Sequence, residues 1–127
     1  MMVIRDRGQV VQTISCNWES HEDVNELMGV ADVLINDYSS TFLEFVLLGK
    51  PCVFYANDLA DYDSGRGFYY EYSGYVPGPV TQDESQLAAA ILSVDDGAKS
   101  RDFCARYFGE IPQNNGKRLA AFIAEHC

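Results

Sequence analysis

Asp32-Val33-Leu34-Ile35-Asn36-Asp37-Tyr38-Ser39-Ser40-Thr41-Phe42-Leu43-Glu44-Phe45 reads as a strand that runs straight into a helix. Residues 32–36 are a short apolar run of the kind buried on both faces of a parallel sheet. From Phe42 to Leu48 the apolar spacing turns helical, and Gly49 followed by Pro51 stops it. Ligands of open parallel sheets bind beyond the carboxyl ends of strands, where a helix start offers unpaired N–H groups to a phosphate. Ser39, Ser40 and Thr41 fall at that place, small enough to let a diphosphate approach and carrying hydroxyl donors of their own. Asp37 and Tyr38 form the supporting turn. Glu44 lies one turn further on, where its carboxylate can accept from a ribose diol. A purely local reading also stands: Thr41-Phe42-Leu43-Glu44 has capping-box spacing, Asp37 suits an Asx turn, and Tyr38 suits packing.

Upstream, Val10-Val11-Gln12-Thr13-Ile14 reads as a strand. Ser20-His21-Glu22-Asp23 has capping-box spacing before a helix whose apolar face is Val24, Leu27, Met28 and Ala31. Downstream, Cys52-Val53-Phe54-Tyr55 is the next strand. The order strand, helix, strand, helix, strand with short connections predicts right-handed crossovers and a three-layer α/β fold, a parallel sheet flanked by helices. From Asn57 to Pro79 the pattern gives way to Gly, Pro, Asp and six aromatics, which predicts a long irregular segment. Thr81-Gln82-Asp83-Glu84 predicts a capped helix with Leu87, Ala88, Ile91 and Leu92 inward. Two more helices are expected at about 96–108 and 115–125.

The whole chain, 127 residues with 47% hydrophobic and 22% charged side chains, suits one domain. Nine Lys and Arg against nineteen Asp and Glu, a formal charge of -10, argue against nucleic acid as a partner. No apolar run reaches the length of a membrane span, and no secretory signal is visible, so a cytoplasmic protein is the expectation. Cys16, Cys52, Cys104 and Cys127 are scattered without metal-ligand spacing and read as reduced thiols. No metal or cofactor is expected. His21 on a helix flank and His126 near the end of the sequence are poorly placed for general-base chemistry.

The run Ala31 to Phe45, then Lys50-Pro51-Cys52-Val53-Phe54-Tyr55, Asp58-Leu59, Tyr62, Arg66-Gly67-Phe68-Tyr69-Tyr70 and Pro77-Gly78-Pro79, resembles the C-terminal region of the CDP-glycerol:poly(glycerophosphate) glycerophosphotransferase family over roughly Ser15 to Leu92. The resemblance implies a Rossmann-like portion of the C-terminal domain of a GT-B enzyme. That domain would bind CDP-glycerol, with a polyol-phosphate acceptor meeting it through a further domain. Glycerol phosphate, or ribitol phosphate, would pass to a teichoic-acid-like polymer and CMP would leave, on the cytoplasmic face of a bacterial membrane. It places Ser39, Ser40 and Thr41 by the donor phosphates and makes Arg66, with its bidentate fork, an anion clamp, a surface ion pair being the alternative for that arginine. The family's acidic position is usually Asp where this chain has Glu44. The upstream His-Pro motif and acceptor domain of the family have no counterpart, so 1–127 is expected to be a partial donor domain without catalytic residues, and one prone to self-association.

Three other readings compete. Another nucleotide-sugar GT-B transferase or epimerase would share the helix-start hydroxyls and Gly49-Lys50-Pro51, but not the aromatic motifs. A signalling receiver fails on motif order, because Asp37 and Lys50 lie too close together. A non-catalytic nucleotide-binding or interaction module is the third.

Overall fold

The computed structural model describes residues 1–6, 9–14, 23–65, 67, 69–110 and 114–126, with residues 6, 9–11, 14 and 63 described by backbone alone. Strands β1 (Met2–Asp6), β2 (Gln9–Ile14), β3 (Val33–Asn36), β4 (Cys52–Tyr55) and β5 (Val80–Thr81) form one sheet in the order β2-β1-β3-β4-β5. β3, β4 and β5 are parallel, as the apolar strand runs predict. β1 is antiparallel to both neighbours, so the sheet is mixed and the expectation of an all-parallel sheet is corrected at this strand. The cause is local. Met2, Val3 and Ile4 are apolar but have no helix between them and β2, and strands so close in sequence can pair only antiparallel. Because both of its neighbours oppose β1, β2 points the same way as β3, and the expected crossover passes over β1.

Alternate side chains of the central strands feed two cores. Leu34, Cys52 and Phe54 pack with Met28 of α1 (Val24–Val30), Phe42, Phe45 and Val46 of α2 (Thr41–Val46), and Phe103 of α6 (Ala98–Tyr107). Val33, Ile35 and Val53 pack on the other face with Leu87, Ala90 and Ile91 of α5 (Glu84–Ser93). The layers are therefore helix, sheet, helix, as expected. The connections from β2 to β3, β4 and β5 all step the same way across the sheet, so a single crossover hand puts their helices on one face. Phe45 and Phe54 are fully buried, each worth about 1.5–3 kcal/mol relative to exposure.

The helix starts lie later than the sequence suggests. Asp23, accepting from the Asn25 amide at 2.8 Å, caps α1, while Ser20 and His21 lie outside the described residues. Asp83 likewise caps α5 through the Ser85 amide at 2.8 Å, whose hydrogen bond holds its carboxyl below the usual range. Thr81 instead ends β5 and exchanges hydrogen bonds with the Asp83 backbone. Aspartate is among the strongest N-cap residues, and in both helices it stands directly before the first helical residue. α5 is also rotated from the expected face: Leu87 and Ile91 point inward, whereas Ala88 and Leu92 are exposed.

Residues 57–79 are less irregular than expected, containing α3 (Leu59–Gly65) and α4 (Tyr72–Tyr75). Tyr72 and Tyr75 of α4 fold onto the core, whereas Tyr69 and Tyr70 are exposed. Phe42 meets Phe54, Tyr75 and Phe103 edge to face at centroid distances of 5.3, 6.2 and 5.8 Å. Pro77-Gly78-Pro79 crosses β4 so closely that a Cβ on Gly78 would stand 2.1 Å from the Cys52 carbonyl oxygen. The Cys52 thiol itself is pushed up to about 12 by burial. Cys52 and Cys104 are free thiols, and Cys16 and Cys127 lie outside the described residues. The last helix, α7 (Asn115–His126), buries none of its side chains. Among the described residues no helix is long and apolar enough to cross a membrane.

Lys50 explains one sequence motif. Its ammonium donates to the carbonyls of Met28 at 3.1 Å, Gly29 at 2.7 Å and Ala31 at 2.7 Å, closing the C-terminal end of α1 beside β3. A cation there satisfies orphan carbonyls and meets the negative end of the helix. Lys50→Met keeps the stem and removes the donors, so urea unfolding should show a loss of about 1.5–3 kcal/mol. Gly78→Ala should be at least as damaging, since the obstructing atom is backbone and cannot swing away.

Candidate functional site

β3 ends in a polar residue that is itself buried. Asn36, 7% exposed, donates from its carboxamide to the carbonyls of Asp37 at 3.2 Å and Ser39 at 2.7 Å. Asp37 then accepts from the Ser39 amide at 3.0 Å, the Asx turn that the sequence allows. The Tyr72 hydroxyl donates to the Asp37 carbonyl oxygen from below. Tyr38 stacks on Tyr62 with centroids 3.9 Å apart and donates its hydroxyl to Asp58 at 2.7 Å. Burial, then the neighbouring Asp58, raises the Tyr38 pKa; burial, then Asp37, raises that of Tyr72.

This anchored turn presents two hydroxyls. Ser39 Oγ and Thr41 Oγ1 are 2.7 Å apart, and Ser39 Oγ also accepts from the Thr41 amide at 3.3 Å. One of the two O–H groups bonds the other, which leaves the second proton free to be donated outward. Ser40 is the N-cap of α2 but makes no side-chain capping hydrogen bond. The capping-box alternative is therefore not realised: Thr41 is already the first helical residue, and the carboxylate of exposed Glu44 makes no hydrogen bond among the described residues.

Asp37, Ser39 and Thr41 share the wall of an open cleft of about 590 Å³ with Tyr55, Glu84 and Leu87. The cleft lies beyond the carboxyl ends of β3 and β4, at the first turns of α2 and α5. Tyr38 stands behind the turn rather than on the wall, and Ser40 and Glu44 are exposed outside it. Arg66 lies outside the described residues. Sequence reasoning missed Asn36, Tyr72 and Asp58, which hold the turn, and Tyr55 and Glu84, which face it across the cleft. The available signals were an amide closing one apolar strand, a tyrosine closing the next, and an acid at the first position of a capped helix. Asp37 and Glu84 make the wall acidic, with no Lys or Arg on it among the described residues. Also among those residues, no group of three or more His, Cys, Asp or Glu is placed to hold a metal ion. A second hollow of about 550 Å³, lined by Asp32, Lys50 and Asp95, lies at the amino ends of the strands, where Lys50 is already engaged by carbonyls.

The mixed sheet, its two helical layers and a cleft beyond the carboxyl ends of the strands define an α/β domain of Rossmann-like type. The chain belongs to the CDP-Glycerol:Poly(glycerophosphate) glycerophosphotransferase family, whose model matches residues 4–121. It is 38% identical over 92 residues to a teichoic acid poly(ribitol-phosphate) polymerase of Bacillus spizizenii, covering 72% of this chain and 15% of that protein. To a teichoic acid glycerol-phosphate transferase of Staphylococcus aureus it is 39% identical over 79 residues, covering 61% and 20%. The solved wall teichoic acid polymerase TagF superposes with a TM-score of 0.68 at 29% identity, covering 87% of this chain and 28% of that one. A TagF variant soaked with CDPG gives 0.67 at 29%, covering 87% and 29%. The chain thus spans only 15% and 20% of those two curated relatives.

Tyr72→Phe removes one anchor of the turn and one shifted phenol. A phenol whose folded pKa is raised holds its proton more tightly when folded, so its stabilising contribution is whole below its ordinary 10.0 and is lost as pH rises beyond it. Urea midpoints taken from neutral pH to above 10 should fall more steeply for the unsubstituted chain than for the variant. Parallel profiles would contradict the assignment.

Proposed function

We propose that this chain is the donor-binding portion of a glycerophosphotransferase that moves glycerol phosphate, or ribitol phosphate, from a CDP-activated donor to a teichoic-acid-like polymer. The observation that carries the reading is the family match over residues 4–121 together with the hydroxyl-lined cleft at the carboxyl ends of the parallel strands. The ribitol alternative draws support from the relatives, which include polymerases of both alditol phosphates.

In this reading an acceptor hydroxyl attacks the alditol-bearing phosphorus, a new P–O bond forms, and the bond to CMP breaks. The residues here bind and orient rather than react. Ser39 and Thr41 give the diphosphate a hydroxyl donor and a fixed turn, and Ser40 lies at the same helix start. Glu44, exposed one turn on, meets the ribose diol. Asp37 and Glu84 make the wall anionic, so the donor's charge must be met by a cation brought to it. Arg66 fills that role, with further positive charge and the general base coming from the portion of the family's chain that this one does not span. The polyol-phosphate acceptor also belongs to that portion, so residues 1–127 act as a single partial donor domain. No resident cofactor or metal takes part, the work is placed on the cytoplasmic face of the membrane, and copies of the chain associate through exposed apolar surface.

Calorimetry tests this with CDP-glycerol, CDP and UDP-N-acetylglucosamine. The cytidine ligands should bind more tightly, and Ser39→Ala with Thr41→Val should weaken CDP-glycerol roughly 10-fold or more, the scale of hydrogen bonds to a charged group. Arg66→Ala should cost at least as much. Preference for the UDP donor, or affinity indifferent to all three substitutions, would reject the assignment.

A further inference from the structure

The amphipathic face of α7 has no partner among the described residues, although the helix is well formed for twelve residues. Leu119, Phe122 and Ile123 are 59%, 58% and 49% exposed, and His126 stacks on Phe122 with centroids 4.2 Å apart. These positions repeat at i, i+3, i+4 and i+7, a single stripe. Arg118 and Glu125 border the stripe on the same side, each one turn from Phe122. Seven residues apart, they stand nearly one above the other along the helix, separated by about 10.5 Å. Gly116 and Ala120 border the other side, where small side chains let a second helix come close.

We infer that α7 pairs antiparallel with α7 of a second copy of this chain, stripe against stripe. The twofold axis that brings the two stripes face to face keeps like flanks together while reversing direction. Arg118 of one copy then meets the partner's Glu125, twice per dimer, and the axis passes beside Phe122. A parallel pair, whose axis runs along the helices, would instead set the Arg118 and Glu125 flank of one copy against the Gly116 and Ala120 flank of the other, leaving both charges unpaired. Bases also outnumber acids in α7, Lys117 and Arg118 against Glu125, so this is a face on which two molecules of charge -10 can approach at reduced electrostatic cost. The helix is about 18 Å long and about 10 Å wide, well short of the roughly 800 Å² per partner of a standard interface. The dimer is accordingly weak and transient.

Sedimentation equilibrium over a concentration series up to the solubility limit tests it, with circular dichroism confirming that each variant is folded. Phe122→Glu should leave only monomer. Arg118→Glu should weaken the dimer roughly tenfold by setting like charges together twice. Arg118→Glu combined with Glu125→Arg should restore it, because the reversed pair is equally complementary. A chain that stays monomeric throughout, a dimer indifferent to Phe122→Glu, or a double reversal as weak as the single one would each overturn the inference. Donor binding at the cleft is read separately by calorimetry, so failure here leaves that reading standing, and the converse holds.

Discussion

The candidate site depends on one buried carboxamide. Asn36 ends a strand whose other residues are all apolar and buried, and its two donated hydrogen bonds fold the backbone back over the strand end. A polar group in that position is costly unless it is satisfied, so the turn and the amide enforce each other. The Asx contact of Asp37 and the Tyr72 hydroxyl add to the same knot. Ser39 and Thr41 are thus held by Asn36 and Asp37 from within the cleft wall and by Tyr72 from outside it. Ser39 and Thr41 need not be ordered by a ligand, and binding avoids that part of the entropic cost.

Much of the fold was legible because burial leaves a period. Residues 33–36 and 52–55 are continuous apolar runs bounded by turn residues, and the structure makes both of them central parallel strands. β1 was not legible for a different reason: Met2 to Asp6 has no alternation strong enough to stand out, and its place is set by pairing with strands on either side. The segment 57–79 failed similarly. Its glycines and prolines suggest a loop, whereas Tyr72 and Tyr75 are drawn into a short helix by contacts with Phe54 and Phe42 that no local pattern encodes. Of the site, the hydroxyl turn could be read directly. Its supports could not, since Asp58 and Tyr72 come from twenty and more positions away.

An acidic protein with a candidate seat for an anion poses an electrostatic question. The cleft wall answers only half of it, offering hydroxyl dipoles and backbone geometry beside two carboxylates. Hydroxyls distinguish the shape of a diphosphate but do little to neutralise it. A division of labour follows, in which the sheet contributes position and other residues contribute charge. The small share of its relatives' length that this chain spans fits that division.

The strand order has a further consequence for assembly of the molecule. After the β1–β2 hairpin, β3 joins beside β1 and each later strand adds at the same growing side, ending at β5. Among the described strands, none must wait for a segment delivered long after it. Such a sheet can accrete in the order in which a ribosome delivers it, each addition meeting an edge already in place. Among these strands the outer side of β5, only two residues long, is then the last edge formed and the least able to recruit a stray strand.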